Sequence, residues 1–210
     1  PSFMSKRRNS TQSVRANTGS RGRLSARDKL LDAANKLFYA HGISAVGIDR
    51  VIEEAGVAKM SLYNNFDSKD ALVAAWLERK HAEWMLWLRS FVEKKPPASR
   101  PAAVFDALDE WFHTDEFRGC AFINVAAEVK DPRSKAFQIS AAHTVDLNAS
   151  IRRWIAEAKP KLSSAALDLA AQEITMLAAG AILWAALHGP DHVAARAKDS
   201  AARLLAETSR

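Results

Sequence analysis

One short segment carries the residue types that could read nucleic acid. Residues 58–66 have the sequence AKMSLYNNF, and in a helix the apolar Leu62 would turn inward. The free face would then bear an ammonium, a thioether, a hydroxyl, a phenol and an amide, from Lys59, Met60, Ser61, Tyr63 and Asn64. A helix fits the width of the DNA major groove, and such groups bind base edges and phosphates. The segment therefore favours contact with DNA.

This segment is the second half of a predicted helix–turn–helix. Residues 48–55 form the first short helix, and Gly56 supplies a turn in which the chain needs a positive φ. Apolar side chains on both halves would lock the pair together: Val51, Ile52, Ala55, Val57 and Leu62. On periodicity alone, a purely structural helical hairpin also fits these residues.

Helical periodicity extends over most of the remaining chain, and strand-like alternation does not persist anywhere. The first helix begins at a Ser25 cap and stops at Gly42, and the fourth begins at Asp67 or Ser68 and runs to about residue 94. Further helices are predicted over residues 101–114, 120–130, 131–158, 164–188 and 191–206. Asp131 before Pro132 is the predicted N-cap of the third of these.

These elements predict an all-α fold class. A three-helix N-terminal domain with the helix–turn–helix would occupy residues 24–68, and a larger C-terminal helical domain would occupy residues 69–210. The net charge of +6 lies entirely in residues 1–23, which hold six basic residues and no acid. We expect this arm to be disordered. It would either reach for nucleic acid phosphates or serve as a solubilising tail.

Several classes of protein are disfavoured by the composition. The lone Cys120 cannot form an internal disulfide, and the N-terminal residues do not resemble a signal peptide. The longest uncharged apolar run, residues 174–187, has 14 residues, which we take as too short to span a bilayer. We therefore expect a cytoplasmic protein that does not associate with membranes.

Motifs for catalysis or metal binding are also missing from the sequence. The chain has no glycine-rich phosphate loop, nucleophile elbow or CxxC motif. His188 and His192 are four residues apart, but Gly189-Pro190 would break any helix that aligned them as metal ligands. We therefore expect no enzymatic activity, no metal and no cofactor.

The N-terminal segments resemble the TetR-type one-component transcriptional regulators. That family has an apolar-Phe pair before a glycine, a Gly-Val turn, a Leu-Tyr-x-x-Phe recognition helix and a Ser-Lys-Asp/Glu-x-Leu start to the fourth helix. In this chain the four motifs are Leu37-Phe38 before Gly42, Gly56-Val57, Leu62-Tyr63-Asn64-Asn65-Phe66, and Ser68-Lys69-Asp70-Ala71-Leu72. Their order and spacing make the resemblance specific, although each motif alone is weak.

Four positions depart from the pattern of the family. Gly47 replaces the Thr or Ser that precedes the second helix, and Ala58 replaces the Ser after Gly-Val. Ile52 stands where a small residue is frequent, and Asn65 replaces a common histidine. These changes affect the individual DNA contacts, and they leave the motif intact.

The resemblance implies roles for individual residues. Lys59, Met60, Ser61 and Asn64 would face base edges, while Tyr63 and Lys69 would bind phosphate. The predicted DNA-binding set is Gly47, Lys59, Met60, Ser61, Tyr63, Asn64, Asn65 and Lys69.

For residues 69–210 the resemblance implies a ligand-binding domain that also forms a homodimer. Small residues along the helix at 164–188 would let two backbones approach closely, although a central helix inside one chain fits them as well. The predicted dimer interface is Ile174, Leu177, Ala178, Ala181, Trp184 and Ala185.

Aromatic residues concentrate in the same region. Most would be core packing, but a subset with a few polar groups could line an apolar effector cavity. The predicted ligand-binding set is Trp84, Trp87, Trp111, Phe112, His113, Phe122, Asn124, Phe137 and His143. Cys120, near a predicted helix N-terminus, is either a thiol of lowered pKa that senses oxidants or a buried inert thiol.

The sequence thus predicts a homodimeric repressor that a small, mostly apolar effector releases from a palindromic operator. The effector would move the fourth helix, so that the two recognition helices lose register with the major grooves. The alternatives are a regulator controlled by a protein partner and a helical ligand-binding protein with a vestigial helix–turn–helix.

Overall fold

A computed structural model describes residues 24–208 of the chain. Within this range the fold is all-α and has no β-strand, as predicted. The predicted basic arm, residues 1–23, lies outside the described residues. In the described range the α-helices are α1 (Ala26–His41), α2 (Ile48–Ala55), α3 (Lys59–Tyr63), α4 (Lys69–Val92), α5 (Arg100–Phe112), α6 (Ala121–Val129), α7 (Lys135–Ala158), α8 (Ser164–His188) and α9 (Val193–Glu207). A single 3-10 turn at Pro97–Ser99 precedes α5.

The ends of the N-terminal helices follow the local sequence. The Ser25 hydroxyl accepts a hydrogen bond from the Asp28 amide at 3.1 Å, and Ser68 caps α4 through the Ala71 amide in the same way. Gly42 and Gly56 end α1 and α2 with φ values of 82° and 61°, which side chains with a Cβ rarely adopt. The predicted helix–turn–helix is therefore present between Ile48 and Tyr63.

The predicted start of α7 is wrong. The helix begins four residues later than Asp131, at Lys135, and its N-cap is Ser134, which accepts from the Phe137 amide. Asp131 instead accepts a hydrogen bond from the Arg133 amide at 3.0 Å and so forms a local turn. Aspartate favours such turns as strongly as helix caps, and the sequence did not distinguish the two.

Two apolar cores meet along α4. Its first half contributes Leu72 and Trp76 to a core with α1, α2 and α3, while its second half contributes Leu88 and Val92 to a core with α5, α7, α8 and α9. The α6 residue Phe122 packs in the N-terminal core as well. α4 and α6 therefore connect the helix–turn–helix to the rest of the fold. The domain boundary after residue 68 stays a prediction.

α8 is the most apolar element. By length and composition alone it could cross a membrane, since 18 of its 25 residues reach a mean hydropathy of 1.4. The expectation that this region is too short is wrong on this criterion, because the helix extends beyond the uncharged run at 174–187. Of that apolar stretch, 44% is buried inside the chain, and the core helix of a soluble protein passes the same test.

Candidate DNA-binding surface and buried cavity

α3 presents its polar side outward. Leu62 is fully buried, whereas Met60 and Tyr63 are 68% and 47% exposed. Lys59 and Asn64 are also exposed, and Ser61 is half-buried. The structure thus brings the residues predicted to read bases onto one side of a short helix whose opposite side anchors it to the core.

Two of these side chains already have partners. Lys59 forms an ion pair with Asp49 of α2 at 3.0 Å, which raises the pKa of Lys59 and keeps its ammonium on the surface. Asn65 donates one amide hydrogen to the Ser61 carbonyl at 2.7 Å. Asn65 therefore has only one amide hydrogen left for a phosphate.

The predicted phosphate contacts flank this surface. Lys69 is half-buried and is the first residue of α4, where a helix N-terminus favours anions. Gly47 is the N-cap of α2 and makes no side-chain hydrogen bond, as its missing side chain requires.

A further basic residue lies beside the surface. The Arg27 guanidinium of α1 lies 5.3 Å from the ring centre of Phe66, which follows the recognition helix. The sequence analysis missed Arg27 because nothing in the spacing along the chain relates α1 to residue 66.

A small cavity lies between α4, α6, α7 and α8. Its volume is about 40 Å³, and its lining is almost entirely apolar. It is lined by Tyr39, Lys80, Trp84, Trp111, Cys120, Ala121, Phe122, Ile123, His143, Thr144, Leu147, Thr175, Ala179 and Ile182. We call it the inner cavity.

An open groove adjoins the inner cavity. It measures about 330 Å³ and is lined by Lys80, Glu83, Trp84, Trp87, Glu110, Trp111 and Thr114. We call it the outer groove. Lys80, Trp84 and Trp111 belong to both linings, so these three side chains form the wall between the two spaces.

Five of the nine residues predicted to bind ligand lie at these two spaces. Trp84, Trp111, Phe122 and His143 line the inner cavity, and Trp87 lines the outer groove. Ligand binding by these five residues stays a prediction.

The other four lie elsewhere. Phe112 is buried against Phe117 in the core, and His113 is exposed at the end of α5, where its ring contacts the Asp109 carbonyl. The Asn124 amide donates to the Arg118 carbonyl at 3.4 Å, and Phe137 lies in the first turn of α7; neither residue lines the inner cavity or the outer groove. Helical periodicity gave the correct helices but could not say which turn of each helix faces the cavity.

The sequence analysis missed Lys80 and Tyr39. Lys80 lies four residues before Trp84 and seven before Trp87, which is one face of α4, and this spacing could have identified it. Tyr39 belongs to the N-terminal domain, so no local pattern relates it to the cavity.

His143 is the main ionisable group of the cavity wall. Its ring stacks on Phe122 with centroids 3.7 Å apart, and its Nδ1 lies 3.0 Å from Nδ1 of His81. Nε2 of His81 lies 3.3 Å from the Asp146 carboxylate. Burial and the neighbouring His81 lower the pKa of His143 to about 3, so His143 is neutral near pH 7.

Cys120 does not have the lowered pKa that an oxidant sensor requires. It lies at the N-cap of α6, but burial raises the pKa of its thiol. Desolvation outweighs the hydrogen bonds from the Phe122 and Ile123 amides. A half-buried thiol with a raised pKa favours the inert interpretation of Cys120.

Two hydrogen-bonded contacts join the cavity wall to the DNA-binding helices. The Tyr39 hydroxyl donates to the Gly119 carbonyl at 2.7 Å and accepts from the Arg118 amide at 3.1 Å. The Glu128 carboxylate of α6 accepts from the Ile43 and Ser44 amides, which lie between α1 and α2, at 3.3 and 2.8 Å. α6 is therefore hydrogen-bonded directly to the segment between α1 and α2.

The predicted dimer interface needs correction. Four of its six residues are at most 6% exposed within the single chain and cannot form an intermolecular surface in this structure: Ile174, Ala178, Ala181 and Ala185. Leu177 is partly buried, and Trp184 is 58% exposed. Of the small residues of α8, Ala170, Ala171, Ala178, Ala181 and Ala185 pack inside the chain, whereas Gly180 and Ala186 are exposed.

The outward side of α8 is a different apolar face. It carries large exposed side chains at helical spacing: Leu169, Met176, Leu183, Trp184 and Leu187. We call it the α8 face. The sequence could not separate this face from the inner one because the helix is apolar on both sides.

No group of three or more His, Cys, Asp and Glu residues that could hold a metal ion occurs within residues 24–208.

Comparison with known proteins identifies the N-terminal region. Residues 30–76 match the family model of bacterial regulatory proteins, tetR family. The HTH-type transcriptional repressor ComR of Escherichia coli is 34% identical over 123 residues, which are 55% of this chain and 56% of ComR. The match thus spans only about half the length of that relative.

Solved structures extend the likeness to both domains. SCO4454, a TetR-family transcriptional regulator from Streptomyces coelicolor, superposes with a TM-score of 0.81 at 28% identity, over 89% of this chain and 97% of SCO4454. The reduced form of Escherichia coli NemR has a TM-score of 0.74 at 22% identity, over 85% of this chain and 96% of NemR, which shows a common fold.

Proposed function

The chain belongs to the TetR family of bacterial regulatory proteins, and from this premise we propose that it is a homodimeric transcriptional regulator that binds a palindromic DNA operator. It acts as a repressor in the cytoplasm, has no catalytic activity of its own, and leaves the DNA when a small, mostly apolar effector binds. ComR and NemR are both named as repressors, which supports this direction of regulation.

The observation that carries the proposal is the surface of α3. Met60, Tyr63 and Asn64 are exposed while Leu62 is fully buried, so the polar side of the helix is fixed toward solvent. Lys59, Met60, Ser61 and Asn64 would contact base edges, and Tyr63, Lys69, Asn65 and Gly47 would contact the backbone. Arg27 adds a positive charge beside this surface.

The α8 face supports the homodimer. Five large apolar side chains lie exposed along one helix, which is unusual for a surface that stays in water. Two-fold pairing of this face would bury them and present two recognition helices about one turn of DNA apart.

The cavity supports control by an effector. A ligand that enters the cavity would press on Phe122 of α6, which packs in the N-terminal core. It would also press on Tyr39, which belongs to α1. Glu128 would then pull on the Ile43 and Ser44 amides, while α4, which belongs to both cores, would change the separation of the two recognition helices. Control by a protein partner remains the competing proposal for this region.

A selection from random DNA duplexes at physiological salt tests the proposal. We expect the full chain to enrich a palindrome, and we expect Tyr63→Phe to bind it more weakly while unfolding at the wild-type temperature. Lys94→Ala, at an exposed lysine after α4, is the matched control and should behave as wild type. Weak, salt-sensitive binding with no shared motif would instead favour a ligand-binding protein with a vestigial helix–turn–helix.

A further inference from the structure

Two hydrogen-bond donors in the wall between the inner cavity and the outer groove have no protein acceptor. The first is Nε1 of Trp84, which is buried and has no partner within the described part of the chain. An indole N–H normally finds an acceptor when it is buried, and leaving it unpaired is unfavourable. The ring contacts Trp87, Trp111 and His143, which fix its orientation but offer Nε1 no hydrogen bond.

The second donor is the ammonium group of Lys80. It lies 4.8 Å from the ring centre of Tyr39, and no carboxylate of residues 24–208 lies within 4 Å of it. The acidic residues whose charges act on Lys80 are Glu83, which pairs with Arg79 at 3.7 Å, and Glu116. Burial lowers the pKa of Lys80, which shows that the surroundings do not compensate its charge fully.

The rest of the inner cavity offers little to compete for an anion. Among residues 24–208, Lys80 is the only charged residue that lines it, and no Asp or Glu does. The hydroxyls of Tyr39 and Thr175 already donate to the carbonyls of Gly119 and Ala171. His143 is paired with His81 and is neutral near pH 7.

We propose that the effector is an apolar carboxylic acid bound as its carboxylate, with one oxygen at the Lys80 ammonium and one at Nε1 of Trp84. The two donors lie one helical turn apart on the same face of α4, so a single two-oxygen group can satisfy both. The name effector rests on the regulatory function proposed above. The binding site itself does not depend on it.

The hydrocarbon part of the ligand is aromatic or branched. The two spaces are walled by Trp84, Trp87 and Trp111, whose rings favour contact with a flat apolar group. The inner cavity of about 40 Å³ is much smaller than an apolar cavity of roughly 150 Å³ that holds a benzene ring. A ring therefore has to occupy the outer groove as well, beside Trp87.

Calorimetric titration of the full chain with three probes of one shape tests this assignment. Phenylacetate, 2-phenylethanol and 2-phenylethylamine share a ring and chain and differ in the charge of the head group. We expect phenylacetate to bind at least about ten-fold more tightly than the alcohol, because only the anion pairs with Lys80, and we expect no binding of the amine.

Substitutions at the two donors sharpen the test. Lys80→Met should weaken phenylacetate binding by about ten-fold or more, and Trp84→Phe by about three-fold to ten-fold. Lys80→Arg keeps the charge and should retain binding, which separates lost charge from lost folding. Lys94→Met, at an exposed lysine outside the site, is the matched control and should bind as wild type.

Three results would overturn the assignment: equal binding of the alcohol and the acid, acid binding that survives both Lys80→Met and Trp84→Phe, or no binding of benzoate, phenylacetate or 3-phenylpropionate at millimolar concentration. If such a result accompanies palindrome-specific DNA binding, the regulatory function stands and only the ligand class fails. Acid binding without sequence-specific DNA binding would remove the regulatory function and keep the site.

Discussion

The two regions of this chain place their chemistry in opposite ways. In the N-terminal region most of the side chains proposed to contact DNA lie on or directly after a five-residue helix, so one short stretch of sequence supplies most of them. In the C-terminal region the cavity is buried, and its lining comes from α1, α4, α5, α6, α7 and α8. A surface for a large, repetitive polymer can be built locally, whereas a site for a small molecule has to be assembled from distant segments.

The two regions meet through apolar packing along α4 and α6 and through a few polar contacts. The Glu128 carboxylate accepts hydrogen bonds from two backbone amides before α2. The Tyr39 hydroxyl is hydrogen-bonded to the backbone of residues 118 and 119. These polar contacts can change their geometry at a lower cost than the close-packed side chains around them can. The two regions are therefore hydrogen-bonded to each other at two defined residues, Tyr39 and Glu128.

The largest effect is expected when the dimer is broken. Leu183→Glu puts a carboxylate into the α8 face, and burying it there would be unfavourable, so we expect a monomer by analytical ultracentrifugation. Loss of the second recognition helix should lower affinity for the palindrome by about two orders of magnitude.

Leu86→Glu is the control for this change. Leu86 is an equally apolar and exposed residue, but it lies on α4, away from the α8 face. It should leave both the dimer and DNA affinity unchanged. A monomeric Leu183→Glu protein that still binds the full palindrome tightly would separate dimerisation from DNA recognition.

The next largest effect concerns base reading by α3. Asn64→Ala removes an exposed amide from the recognition helix, and it should cost about 1–3 kcal/mol of discrimination at the base pair that Asn64 contacts. Competition between the selected palindrome and single-base variants measures this. Equal losses on all sequences would place Asn64 on the phosphates instead.

The cavity region should show its own sensitivity to acid. The pKa of His143 is about 3 in the folded chain and near 6.5 in the unfolded chain. Between these pH values His143 is therefore protonated in the unfolded chain and neutral in the folded chain. The contribution of His143 to the free energy of unfolding is fully present above pH 6.5 and is lost as the pH falls toward 3. At pH 5 the loss is about 2 kcal/mol.

Urea denaturation at pH 7 and pH 5 checks this value. His143→Phe keeps an aromatic ring against Phe122. From pH 7 to pH 5 its free energy of unfolding should fall by about 2 kcal/mol less than that of wild type. The other groups near His143 are His81, Asp146 beyond it, and Lys80, all of which remain in the variant. His113→Phe, at an exposed histidine, should retain the acid sensitivity of wild type.

The smallest effects are expected at the phosphate contacts. Lys69→Ala should weaken binding to all DNA sequences alike and reduce the slope of log affinity against log salt by about 1. Tyr63→Phe should weaken all sequences alike with no change in slope, because it removes a neutral donor. An unchanged slope in Lys69→Ala, equal to that of the Lys94→Ala control, would contradict the phosphate role of Lys69.

The same contrast explains what the sequence could predict. The caps at Ser25 and Ser68 and the turn at Gly56 depend on neighbouring residues, so the N-terminal helices were predicted nearly to the residue. Lys80 and Tyr39 line one cavity although 41 positions separate them in the chain, and periodicity carries no information about such contacts. α8 was predicted as a helix, but four of the six residues assigned to its outer face lie on the inner face, because both faces are apolar.

Footprinting of the selected duplex with the wild-type protein tests the central claim most directly. We expect two protected patches on one side of the DNA, with their centres about 10–10.5 base pairs apart or a multiple of this, and two chains bound per duplex. A single patch, or one chain per duplex with full affinity, would contradict a dimer that reads DNA with paired α3 helices.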